Sequence, residues 1–494
     1  MNQSVTSTPT SSEELDDILA RAAAAADAWA QTSRADRAVV LEAIADRLDH
    51  ARDELVQIAH AETHLAHARL RAELQRTTFQ LRLFGDEIRD GSYLGIRIDH
   101  ADPDWPMGAP RPELRRMLVP LGPTVVFAAS NFPFAFSVAG GDTAAALAAG
   151  CPVILKAHSG HPDLSRRTGA LVSEAVRDAG GAPGVFAVIF GTDAGRAAVQ
   201  DPRVKAGAFT GSLTGGRALF DLANARPDPI PFYGELGSVN PVFVTEAAAA
   251  SRASEIAAQF AASMTLSAGQ FCTKPGLLVV PERSSIVREL TLAELPPPAR
   301  LLNERIQRGY VDELQSLRND PAVTVLAEGA DPLADPPGAT LLRADVDAVI
   351  ARPDELVREC FGPTALVVTY RDETRMLDLA RIVPGQLTAT VVAEGSESLL
   401  PELLRLLAGT AGRVLWNQWP TGVSVTHAQQ HGGPYPASTS AGTTSVGTAS
   451  ISRFLRPVAY QGFPLQLLPE ELRDQPPWQS ARLVDGLCES AGQR

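Results

Sequence analysis

The spacing of apolar positions divides the chain into stretches of different character. Residues 13 to 92 place Leu, Ile, Val and Ala at three- and four-residue intervals among Arg, Asp and Glu, as in LDDILARAAAAADAWA and VVLEAIADRLDHARDELVQIA. That period predicts a run of amphipathic helices. Residues 93 to 120 change to two extended pieces, YLGIRID and LRRMLVPLG, around the Pro-rich DPDWPMGAPRPE, which predicts a hairpin projecting from the body. From residue 121 short apolar runs alternate with helical segments. VVFAAS, PVILKA, VFAVIFG, VKAGAFTG and PFYGEL read as strands, and AFSVAGGDTAAALAA, DLSRRTGALVSEAVRDA, TDAGRAAVQ and GGRALFDLANA as helices. Alternation of this kind predicts an α/β fold with a doubly wound parallel sheet. A second α/β segment follows Val239, with PVFV, LLVV, ALVVTY, LTATVV and RVLWNQ as strands and SRASEIAAQFAASMTL as a helix. SISRFLRPVAYQGFP reads as one long strand ahead of a polar tail.

Length and composition narrow the class. A chain of 494 residues exceeds one hydrophobic core, so two or three domains are expected. The net charge of −13 opposes nucleic acid and anionic membrane as partners. Between Val125 and Ala157 only Asp142 and Lys156 are charged, but Pro133, Gly140, Gly141, Gly150 and Pro152 interrupt the run. A buried strand–helix–strand is expected there rather than a membrane span. Cys151, Cys272, Cys360 and Cys488 have no paired spacing, so a reducing, cytoplasmic location is expected. The first residues lack the basic start and apolar core of a signal peptide.

Ligands of an open parallel sheet bind at the carboxyl ends of its strands. Asn131 follows VVFAAS, Lys156 ends PVILK, Gly211 and Ser212 end KAGAFT, and Glu235 ends PFYGE, so four strands deliver polar groups to one edge. Cys272 lies on a loop bracketed by Gly269 and Pro275-Gly276, with polar neighbours Gln270, Thr273 and Lys274. A lone cysteine is more often a small buried hydrophobe, which is the reading for Cys151, Cys360 and Cys488. TGSLTGG, between a strand and a helix, offers backbone N–H groups to a phosphate, although it is not the GxGxxG fingerprint. The pairs His158/His161 and His427/His431 have no third ligand at recognisable spacing, so no metal is expected.

Taken together, SNFPF, PVILKAHSGHP, FTGS, YGELGSVNP, GQFCTKPG and ECFGP resemble the aldehyde dehydrogenase superfamily over nearly the whole chain. The block WPTGVSVTHAQQHGGPYPAST with TTSVGTASISRFLRP resembles the branch of 2-oxoglutarate semialdehyde (2,5-dioxopentanoate) dehydrogenases and a bacterial fatty-aldehyde dehydrogenase. The resemblance implies a cofactor-binding domain at 1-92 and 121-238, a catalytic domain at 239-432, an oligomerisation element at 93-120 and 449-463, and a C-terminal tail at 464-494. It implies Cys272 as nucleophile, Asn131 with the Cys272 N–H as oxyanion hole, and Glu235 as the base that hydrolyses a thioester. It further implies that Glu359 binds the nicotinamide-side ribose, with Phe361 packed nearby, and that Ser212 faces the pyrophosphate. A homodimer or homotetramer is expected on the same ground.

NAD-preferring relatives commonly carry a glutamate three residues after the lysine. This chain has Ser159 there, beside His158 and Lys156, so NADP is the expected cofactor, with NAD possible and Arg196 as a further phosphate contact. Three rivals stay open at this stage. A CoA-acylating enzyme would tend to lack Glu235. A thiol hydrolase would need a histidine partner for Cys272, which the sequence does not identify. A retired binding protein would usually lose Cys272 or Glu235. The resemblance favours 2-oxoglutarate semialdehyde, from sugar-acid or hydroxyproline breakdown, whereas Phe132, Phe134, Phe136 and Phe271 could serve a long aliphatic aldehyde or simply pack the core. No arginine can be assigned to an acidic substrate from sequence.

Overall fold

The computed structural model describes residues 8–474 and 480–489; part of the polar lead-in lies outside them. Four helices occupy the expected helical stretch: Ser12–Gln31, Arg34–His50, Arg52–Thr63 and His67–Asp90. The first begins at Ser11, which accepts from the Glu14 N–H while Glu14 accepts from the Ser11 N–H, a reciprocal cap. Leu41, Leu48, Leu74, Leu81 and Phe84 turn inward and share one core with the fully buried helix Gly141–Ala149.

Five parallel strands form the first sheet, in the order Phe186–Ile189, Val153–Lys156, Thr124–Phe127, Ala206–Thr210 and Phe232–Glu235. Lys156 stands opposite Phe127 and Glu235 opposite Thr210, so the carboxyl ends share one edge. Val125 to Ala157 is the strand–helix–strand of this sheet. No helix among the described residues is long and apolar enough to cross a membrane.

The second sheet has seven strands, ordered Thr324–Glu328, Thr340–Asp345, Thr364–Tyr370, Leu277–Pro281, Pro241–Val244, Gln386–Val392 and Ala411–Trp416, all parallel except the first pair. Periodicity did not reveal Thr324–Glu328, because this edge strand is largely exposed and lacks an apolar run.

A third sheet runs Leu455–Gln461, Leu114–Pro120, Arg97–Asp99, Arg482–Val484 and Leu487–Glu489. It corrects two expectations. The long strand starts only at Leu455, because Thr448–Phe454 is a 3-10 helix packed inward, with Arg453 paired in burial to Asp142. The supposed polar tail adds two strands, and Leu468 and Leu472 pack with Ile96 and Ile98 beneath the sheet. Cys488 lies exposed on the last of these strands, not buried as a small hydrophobe.

The first two sheets meet at Ser238–Asn240. Gln386 Oε1 accepts from the Ser238 hydroxyl at 2.9 Å and from the Val239 and Asn240 N–H groups at 2.8 and 2.9 Å. All of these groups are buried, so removing the acceptor strands two backbone donors without water. Gln386→Ala is expected to lower stability by about 2–4 kcal/mol, seen as a lower urea or thermal midpoint. A midpoint within error of the wild type would contradict this account.

Candidate active site

Glu235, the last residue of its strand, is 4% exposed. Asn131 lies farther out than expected, on a loop four residues past the strand that ends at Phe127. Its main-chain carbonyl accepts from Arg69 Nη2 at 2.6 Å, and its side-chain Nδ2 donates to the Gln270 carbonyl at 3.1 Å. An asparagine amide has two N–H donors, so this contact leaves one for a ligand.

Cys272 follows a backbone held in the left-handed region over Ser267, Ala268 and Gly269, at φ 56°, 55° and 68°. A β-carbon at residue 269 would sit 2.0 Å from the Gly362 carbonyl oxygen, which requires glycine there. Asn240, itself at φ 52°, donates from Nδ2 to the carbonyls of Cys272 and Lys274 at 2.8 and 2.9 Å. Lys274 Nζ donates to the carbonyls of Cys360 and Thr364, each at 2.6 Å, and Gly362 at 3.1 Å, which fixes the loop carrying Glu359 and Phe361. Gln270, Thr273 and Lys274 are therefore buried framework rather than an exposed polar rim.

His431 completes the cluster, and sequence reading missed it. Its Nε2 lies 3.6 Å from Cys272 Sγ and 3.0 Å from Glu235 Oε1. Ligand-type atoms of the three residues lie within 4.8 Å of one another, so His431 does meet further ligand-type side chains and Cys272 does have a histidine neighbour. The loop holds His431 by its main chain, whose N–H donates to Thr444 Oγ1 at 2.9 Å and whose carbonyl accepts from the Ser445 N–H at 2.7 Å. Ser445 also donates to Glu235 Oε2. The approach of His431 to Oε1 is close but poorly aligned for a hydrogen bond, which leaves that oxygen without an aligned donor. The other histidines serve local structure: His161 contacts the Ala129 carbonyl, His158 Nδ1 accepts from Gly160, and His427 contacts Glu87.

Burial pushes the Cys272 thiol well up, and the charges of Glu235 and Glu359 push it further, against a smaller opposing pull from Arg413. Burial also pushes Glu235 up, but His431, Ser445 and Arg453 outweigh it and hold the carboxyl below its usual range. The cluster at rest is thus a protonated thiol beside a charged carboxylate, with one imidazole nitrogen facing both. A proton taken from sulfur at Nε2 is held as an imidazolium beside the Glu235 carboxylate, which stays ionised.

The carboxyl edge also fits a dinucleotide. Ser212 caps the helix Leu213–Asn224, its hydroxyl accepting from the Gly215 N–H, and the helix start from Gly211 is exposed. Its free N–H groups and dipole favour a phosphate. Lys156 passes so close to the helix Thr192–Gln200 that a β-carbon on Gly195 would meet its Cγ at 3.0 Å. Arg196 is exposed on that helix and Ser159 on the turn after Lys156. Glu359 Oε2 lies where a β-carbon on Gly237 would come within 2.5 Å, and burial raises its carboxyl while Lys274 pulls it back.

The charges predict the reactivity of the thiol. Glu235→Gln removes a negative neighbour, so the thiol pKa falls and Cys272 alkylation by iodoacetamide shifts to lower pH. An unmoved or upward-shifted pH profile would contradict this electrostatic account.

Residues 2–293 match the model of the aldehyde dehydrogenase family. The chain is 42% identical to alpha-ketoglutaric semialdehyde dehydrogenase of Acinetobacter baylyi, over 96% of this chain and 91% of that one. It is 45% identical to alpha-ketoglutaric semialdehyde dehydrogenase 2 of Azospirillum brasilense, over 94% and 89%. The fold is similar to that of aldehyde dehydrogenase 21 from Physcomitrella patens in complex with the product succinate, at TM-score 0.75 and 21% identity, covering 93% of this chain and 92% of that one. It is likewise similar to Thermus 1-pyrroline-5-carboxylate dehydrogenase with bound NAD, at TM-score 0.74 and 20% identity, covering 91% and 85%. With its sequence and its sheets matched over most of their length, the chain belongs to the aldehyde dehydrogenase family, enzymes that oxidise an aldehyde with NAD or NADP.

Proposed function

We propose that this enzyme oxidises 2-oxoglutarate semialdehyde to 2-oxoglutarate, with Cys272 as nucleophile and NADP as preferred cofactor. The observation that carries the chemistry is the meeting of Cys272, Glu235 and His431 beside Asn131, and the substrate follows the two bacterial relatives. Cys272 Sγ attacks the aldehyde carbonyl as its proton passes to His431 Nε2. The remaining Asn131 amide N–H and the Cys272 N–H bind the oxyanion. Lys156, Ser159, Gly211, Ser212 and Glu359, with Phe361 packed nearby, would hold NADP, which would supply the hydride acceptor. Glu235 Oε1, free of an aligned donor, then takes a proton from the water that hydrolyses the Cys272 thioester. We assign the Cys272–Glu235–His431 cluster to proton transfer, because the proposed reaction needs an acceptor for the Cys272 proton and His431 Nε2 lies 3.6 Å from the sulfur.

The preference for NADP rests on charge. Lys156 has Arg305 as a neighbouring cation, and both act on His158. Gly160 donates to His158 Nδ1, which leaves the His158 proton on Nε2 as a donor. Ser159 brings no negative charge to this group, and Arg196 adds a further cation. The reading favours a short acidic aldehyde over a long aliphatic one. Phe132 packs edge-on against Phe136 and Phe271, Arg69 lies over the Phe132 and Phe271 rings, and Phe134 is core.

The wild type is expected to reduce NADP in the presence of 2-oxoglutarate semialdehyde, and Cys272→Ala to abolish turnover. In Ser159→Glu the NADP-over-NAD ratio of kcat/KM should fall about 10- to 100-fold, since a carboxylate near the 2′-phosphate costs about 1–4 kcal/mol. A wild type that works better with NAD would overturn the cofactor assignment. We also place contacts between copies of the chain at the edge strand Leu455–Gln461 and the exposed Phe463, Leu465 and Leu467. Light scattering should therefore give a dimer or tetramer, and a monomer would refute that placement.

A further inference from the structure

The helix His67–Asp90 carries a polar stripe toward the site. Arg69, Glu73, Arg76 and Gln80 follow one another at helical spacing. Glu73 Oε1 is committed to the Phe134 and Ala135 N–H groups at 2.8 and 3.0 Å. Arg69 is committed to Ser267 and the Asn131 carbonyl. Arg76 differs. Its Nε donates to the Val423 carbonyl at 3.3 Å, while both terminal nitrogens are buried without a hydrogen-bond partner among the described residues. Its guanidinium lies 5.4 Å from the centre of the Phe136 ring, which also neighbours the His431 ring.

A second guanidinium flanks the same loop. Arg413 donates to the carbonyls of Gly422 and Pro420 at 3.1 and 2.8 Å, and its Nε is buried without a partner. Both arginines lie within electrostatic reach of Cys272. Two half-buried cations with unmet donors, anchored on Pro420–Val423 beside the nucleophile, form a site for an anion that arrives with the substrate. Leaving such donors unmet costs about 1–3 kcal/mol each, which an incoming carboxylate repays through charge-assisted hydrogen bonds.

We infer that Arg76, assisted by Arg413, binds the distal carboxylate of the aldehyde substrate and sets the enzyme's selectivity for ω-oxo acids over neutral aldehydes. The inference rests on the proposed acidic substrate and assigns it to named residues. Oxidation of 2-oxoglutarate semialdehyde and of pentanal, two five-carbon aldehydes that differ in charge, tests it in the full-length enzyme. In Arg76→Gln the semialdehyde-over-pentanal ratio of kcat/KM is expected to fall about 30- to 100-fold, chiefly through KM, and to recover in part in Arg76→Lys. A ratio within about threefold of the wild type would overturn the inference, whatever happens to the absolute rates. Glutarate inhibition of pentanal oxidation is the second measure, with its inhibition constant expected to rise about 30-fold in Arg76→Gln; an unchanged constant would refute the role of Arg76. If the wild type oxidises pentanal and not the semialdehyde, the substrate reading fails, and the glutarate measurement still decides for or against the arginine.

Discussion

The geometry of the site depends on one buried side chain, Asn240. It stands between the strand that ends in Glu235 and the next strand, Pro241–Val244, in a left-handed conformation that few side chains tolerate. Its amide nitrogen holds the carbonyls on either side of Thr273, its amide oxygen accepts from Ser238 and Thr388, and its N–H donates to Gln386. Every hydrogen-bonding direction of the side chain is used. The Cys272 loop is thereby tied to the segment that follows Glu235, and the spacing of the two residues follows from backbone geometry rather than from side-chain freedom.

That framework holds a reactive sulfur in a hostile electrostatic setting. Two carboxylates and burial all favour the thiol over the thiolate at rest. A nucleophile of this kind is quiet until something takes its proton, and the nearest acceptor is the imidazole that also faces the carboxylate. Arg413 pulls the other way, but more weakly than burial and the two carboxylates push. On the proposed mechanism, reactivity comes from the movement of a proton and not from a permanently ionised sulfur.

The strand–helix alternation, the sheet edge and the positions of Lys156, Ser212 and Glu235 were legible because each ends or follows a short apolar run with local signals. His431 was not legible. It is 159 residues from Cys272, on an irregular segment without periodicity. The one local sign was the pair of glycines that follows it, Gly432 and Gly433, where added β-carbons would meet the Thr443 and Gln386 carbonyl oxygens at 2.9 and 2.2 Å. Arg76 was hidden for a different reason. In a helix rich in arginine, only tertiary packing separates a solvated guanidinium from a buried one. The strands at 482–484 and 487–489 escaped notice because three residues are too few to establish alternation.

The segment from His431 to Ser445 returns to the edge of the first sheet, where the Thr439 N–H donates to the Gly234 carbonyl and the Leu236 N–H to that of Ala437. On the ribosome this return comes late. At about 5–20 residues per second, Cys272 emerges on the order of 10–30 s before the imidazole that will accept its proton. Throughout that interval the nascent chain carries the thiol and the carboxylate without the group that joins them. In that interval the burial and the two carboxylates that raise the thiol are not assembled either, so the sulfur behaves as an ordinary cysteine, and the suppressed thiol exists only once this late segment has closed the site.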